Sequence, residues 1–67
     1  MDEELIELAI AALTAEIEKT PDNAMLYKER GRLRMMAAQK TEAMQDVQKA
    51  LQLDPRLADA LNGKFQN

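Results

Sequence analysis

The chain has 67 residues, 46% of them hydrophobic but only 3% aromatic, and a net charge of -3. A chain this short is one small domain at most and buries only ~60% of the surface its unfolded form exposes. With no cysteine and no histidine, it has no disulfide staple, no thiolate or imidazole metal site, and no Cys/His or Ser/His catalytic pair.

Helix 1 is expected from about Glu3 to Lys19, with Asp2 as N-cap and Glu3 and Glu4 at the positive end of the helix dipole. Its apolar residues Leu5, Ile6, Leu8, Ala9, Ile10, Ala12, Leu13 and Ile17 cover roughly 200° of a helical wheel, more than one neighbour needs. Thr20-Pro21-Asp22-Asn23 stops it, and Asp22 or Asn23 caps the next helix.

Helix 2 is expected over about Ala24 to Ala38. Leu26, Tyr27, Gly31, Leu33, Ala37 and Ala38 form one face, with Arg30 and Arg34 inside the same arc; Met25, Lys28, Arg32, Met35 and Met36 lie opposite. Gly31 stands four residues after Tyr27 on that face. Inside a helix a glycine costs ~1 kcal/mol against alanine, so its presence points to close approach of another helix.

Gln39-Lys40 is a short link, Thr41 a candidate cap, and helix 3 runs from about Glu42 to Leu53 with Ala43, Met44, Val47, Ala50 and Leu51 on one face. So short a link makes helices 2 and 3 antiparallel neighbours. Ala43 and Ala50 are small enough to admit the Gly31 backbone, and Val47 supplies bulk between them. Pro55 ends helix 3. A brief helix 4 follows Asp54-Pro55-Arg56 with Leu57, Ala58, Ala60 and Leu61, and Phe65 can fold back over an apolar edge.

A shift of 34 residues carries Ala9 onto Ala43, Pro21 onto Pro55 and Ala24 onto Ala58, and sets Ile10, Leu13, Ile17 and Tyr27 on apolar Met44, Val47, Leu51 and Leu61. Residues 24–55 are then one complete repeat, residues 1–20 the second half of a preceding unit and residues 56–67 the start of a following one, within a single domain 1–67.

Tyr27, Gly31, Ala43, Val47, Ala50 and Pro55 fall at the spacings by which the chain resembles the tetratricopeptide repeat family. Tyr27 stands where the family often has Trp, Arg30 and Arg34 where the fingerprint has Leu and Tyr, Ala38 in place of a frequent turn glycine, and Glu16 in place of a small residue. Tyr27-x-x-Arg30-Gly31 with Ala43-x-x-Asp46 resembles a familiar variant of the repeat. The resemblance implies an all-α stack of antiparallel helix pairs, three main helices plus a short fourth. It also implies a non-catalytic protein-protein interaction scaffold whose concave face would be Met25, Lys28, Arg32, Met35 and Met36. A carboxylate clamp for chaperone tails needs Asn and basic residues from two more complete repeats.

On the residues alone, Lys28 and Arg32 are either a joint carboxylate holder or a solvated face, and the methionines either adaptable contacts or partly buried packing. Asp46, Glu42 and Asp54 have no companion nucleophile or ligand set, so neither catalysis nor a cofactor is expected. Residues 1–20 hold six acids against Lys19, a balance of -5, and residues 21–40 five bases against Asp22 and Glu29, a balance of +3. The first two helices are therefore complementary in charge, which favours their lying side by side and disfavours nucleic acid as the main partner. A protein or peptide is expected instead, and an acidic one would bind through Lys28 and Arg32. No apolar run approaches the ~20 residues of a membrane span, and Met1-Asp2-Glu3-Glu4 is the reverse of a basic signal start. A soluble, cytoplasmic chain is expected.

Two further expectations concern burial. Arg30, in the apolar arc, pairs with Asp46 or lays its stem along the surface with its head in water. The wide apolar arc of helix 1 leads either to self-association through Leu5, Leu8 and Ala12, in a dimer or other homo-oligomer, or to coverage by helix 4 and Phe65.

Overall fold

The computed structural model describes the backbone of residues 2–63 and the side chains of residues 2–59. The expected fold-back of Phe65 and the apolar match of Leu61 to Tyr27 lie outside the described residues. The chain is all-α, with α1 at Glu3–Lys19, α2 at Ala24–Met36, α3 at Lys40–Leu53 and α4 at Arg56–Gly63, and no strand among the described residues. None of its helices is long and apolar enough to cross a membrane, among the described residues.

The helix starts follow from side chains that satisfy free amides. Asp2 accepts from the Glu4 amide at 3.3 Å, and Asn23, rather than Asp22, accepts from the Met25 amide at 3.1 Å. Between them the Thr20 hydroxyl donates back to the Glu16 carbonyl at 3.1 Å, closing α1 one residue before Pro21.

The turn between α2 and α3 departs from the sequence reading. Helix 2 ends at Met36 rather than Ala38, because Ala38 adopts φ 61°, the left-handed region. There its amide donates to the Met35 carbonyl at 3.1 Å while the Gln39 amide donates to the Arg34 carbonyl at 2.8 Å. This pair of reversed bonds closes the last turn. The chain is helical again by Lys40, so Thr41 sits inside the first turn of α3; the cap position belongs to Gln39, which makes no side-chain cap bond.

Helix α2 lies between α1 and α3, and α4 packs more lightly on α3. The two interfaces of α2 are built differently. Against α1 it is apolar and branched, with Ile6, Ile10 and Leu33 buried and Ala9, Leu13 and Ala37 packed around them. Against α3 it is made of small residues: Gly31, Ala43 and Ala50 are all buried. A Cβ added to Gly31 would stand 3.1 Å from the Ala43 carbonyl oxygen, 3.2 Å from Asp46 Cβ and 3.3 Å from Val47 Cγ2. The glycine therefore sets how closely α2 and α3 approach. Met44, expected on the packed face of α3, is instead 58% exposed. A wheel places it beside Val47, but the part of α3 nearest Gly31 is Ala43, Asp46 and Val47, and Met44 lies outside it.

Candidate interaction surface

A polar clasp runs through the middle of the molecule. Arg30 on α2 grips Asp46 on α3 in bidentate fashion through one edge of its guanidinium, Nε to Oδ2 at 2.9 Å and Nη2 to Oδ1 at 2.7 Å. Its remaining Nη1 donates to the Thr14 hydroxyl on α1 at 3.2 Å, and Thr14 in turn donates to the Ile10 carbonyl at 2.8 Å. Arg34, one turn further along α2, adds Nη1 to Asp46 Oδ2 at 2.9 Å. Asp46 is only 3% exposed, so a lone carboxylate there would be costly to desolvate, and two cations now share it.

The hydrogen bond to Asp46, reinforced by its charge, outweighs burial and raises the Arg30 pKa above the ordinary arginine value. The guanidinium carbon also lies 5.7 Å from the centre of the Tyr27 ring, whose hydroxyl donates to the Pro21 carbonyl at 2.9 Å. Tyr27 thus ties the α1–α2 turn to the clasp. Thr14 and the role of Arg34 escaped the sequence reading. The available signals were a lone hydroxyl within the apolar stretch of helix 1 and a second arginine in the buried arc of helix 2, with one acid to serve both.

The outer side of α2 carries Met25, Met35 and Met36, each about half exposed, with Lys28 half-buried and Arg32 exposed. Arg32 Nη2 donates to Glu29 Oε2 at 3.1 Å, both groups open to solvent. The clasp alters the charge available to this face. Of the five bases that gave residues 21–40 their positive balance, Arg30 and Arg34 are committed to Asp46, which leaves Lys28, Arg32 and Lys40 for a partner.

On α1, Leu5 is 57% and Leu8 66% exposed, and Ala12 is exposed as well. Beside Leu8 lies a shallow depression edged by Glu3, Glu4 and Glu7. Glu7 accepts from the Gln39 side chain at 2.8 Å, linking the start of α1 to the α2–α3 turn.

At the other end Pro55 is exposed in the turn before α4. Asp54 accepts from the Arg56 amide at 3.2 Å and from Arg56 Nε at 2.9 Å, and the Arg56 side chain holds its carboxyl below the usual carboxylate range. Scans against family models, curated proteins and solved structures return no match for this chain.

Proposed function

We propose that the chain is a non-catalytic interaction module of the tetratricopeptide type that holds a peptide or protein segment on the outer face of α2. The observation that supports this best is the row of three half-exposed methionines beside Lys28 and Arg32. Unbranched thioethers repack around varied apolar side chains, and two cations one turn apart select for acid among them. The buried clasp supports the same division of labour: Arg30, Arg34 and Asp46 hold the helices together and leave the outer face free of structural duty.

The reading is tested by selecting peptides from a random display library on the immobilised chain. Enrichment of peptides mixing acidic and apolar residues is expected, with binding lost in the Lys28→Glu/Arg32→Glu variant. Equal binding to both chains would move the site off α2. A second reading, a self-assembling structural unit, is favoured by the exposure of Leu5 and Leu8, since adjacent large apolar side chains left in water mark an association surface.

A further inference from the structure

The exposed faces of α1 and α2 share one spacing. On α1, Leu5, Leu8, Ala12 and Ala15 follow one another at intervals of three, four and three residues, and all four are exposed. On α2, Met25, Lys28, Arg32 and Met35 follow the same intervals. That spacing is the seam of two helices packed side by side. Among the described residues, α1 meets α2 through Ile6, Ile10 and Leu33 rather than through either seam.

The seams are chemically opposite. The α1 seam is aliphatic, large at one end and small at the other, and is edged by the exposed acids Glu4, Glu16 and Glu18. The α2 seam carries two cations between two methionines. Laid together, the stems of Lys28 and Arg32 cover alanine and leucine while their charged heads reach the acids at the rim. Arg32 leaves Glu29 to do so, and the arginine side chain of that ion pair is 67% exposed.

Like-with-like pairing fits less well. Two α1 seams run antiparallel would set Glu4 against Glu18 and Glu16 against Asp2, and run parallel would bring two Asp2-Glu3-Glu4 ends together.

We propose that the occupant of the α2 face is a second copy of this chain, which inserts its α1 seam there. This rests on the reading of that face as an interaction surface and names its partner. Because the two surfaces differ, the contact is heterologous: a pair of copies leaves one seam of each kind unfilled, and association continues into a ring or an open chain.

Sedimentation equilibrium of two complementary variants tests this. Leu5→Glu/Leu8→Glu keeps only the α2 face, and Lys28→Glu/Arg32→Glu keeps only the α1 seam. Each alone should sediment as the 7.6 kDa monomer, and the mixture should form a one-to-one pair and nothing larger. The wild-type chain should show at least about a twofold rise in mass between micromolar and millimolar concentration, reversed by salt. Where a glutamate variant loses its helical circular dichroism, glutamine at the same positions replaces it.

A wild-type chain that stays monomeric at millimolar concentration overturns the proposal. So does a Lys28→Glu/Arg32→Glu variant that dimerises alone, which would place α1 on α1. If the mixture stays monomeric while the wild-type α2 face still captures an acidic library peptide, the second copy is excluded as partner but the face stands. If both self-association and peptide capture are missing, the face itself falls.

Discussion

Arg30 and Asp46, sixteen residues apart, are joined by two hydrogen bonds of 2.9 and 2.7 Å, and the same guanidinium reaches Thr14 on the first helix. One side chain therefore touches α1 and α3 from its place on α2. In a chain without a disulfide and with a small core, such a clasp sets helix register as well as adding stability. Removing Asp46 leaves two guanidinium groups without their counter-charge, so Asp46→Ala should lower stability by on the order of 3 kcal/mol.

The two arginines are not equivalent. Arg30 makes two bonds to Asp46 and a third to Thr14, whereas Arg34 makes one bond and leaves its buried Nε without a partner among the described residues. Arg34→Met should therefore cost less than Arg30→Met, by roughly 1 kcal/mol or more. Chemical denaturation of the three variants checks the order, and near wild-type stability for Asp46→Ala would show that the clasp contributes little.

Two substitutions should invert the usual helix preferences. Gly31→Ala ordinarily gains about 1 kcal/mol of helix propensity, but here the new methyl meets a backbone oxygen at 3.1 Å. A net loss of about 1 kcal/mol is expected as α2 and α3 are forced apart. Ala38→Gly should gain about 1 kcal/mol, because glycine adopts the left-handed turn conformation without penalty. Paired thermal melts test both signs: a more stable Gly31→Ala chain would mean that the helix contact is loose.

How much of this was legible in the sequence depended on the range of the signal. The bounds of α1 and its Asp2 cap rest on local amide chemistry, which a short window contains, whereas the sequence leaves Asp22 and Asn23 as equal candidates and only the structure shows Asn23 accepting the Met25 amide. Arg30 with Asp46 was legible as one of two readings, because a charge within an apolar arc either meets a counter-charge, as in the repeat variant the chain resembles, or lays its stem along the surface. Arg34, Thr14 and the exposure of Met44 depend on how narrowly α2 and α3 meet, a three-dimensional quantity that no single helix records. Ala38 misled because alanine favours helix, whereas here it was drawn into the left-handed turn. The occupants of the α1 and α2 outer faces are a matter of partners, and a pattern of exposed residues describes only one side of that contact.

The start of α4 should respond to acid. Asp54 is held below the usual carboxylate range by the Arg56 side chain and also accepts the Arg56 amide. A lowered folded pKa contributes stability that is present above the unfolded value, ~3.9, and is lost as the pH falls through the folded value. The Arg56 amide shift in an NMR titration should therefore move with a midpoint below the ordinary aspartate value, ~3.9, with Asp54→Asn abolishing the step. A midpoint at or above the ordinary aspartate value would mean that the ion pair does not form in solution.

In the proposed function, partners meet the outer face of α2 while the buried clasp serves the fold. Amide chemical-shift mapping of the labelled chain with the strongest library peptide, at concentrations where the chain is monomeric, tests it most directly. The largest shifts are expected at Met25, Lys28, Arg32, Met35 and Met36, with Thr14 and Asp46 nearly still. Shifts centred on Asp46 and Thr14, or confined to α3 and α4, would contradict it.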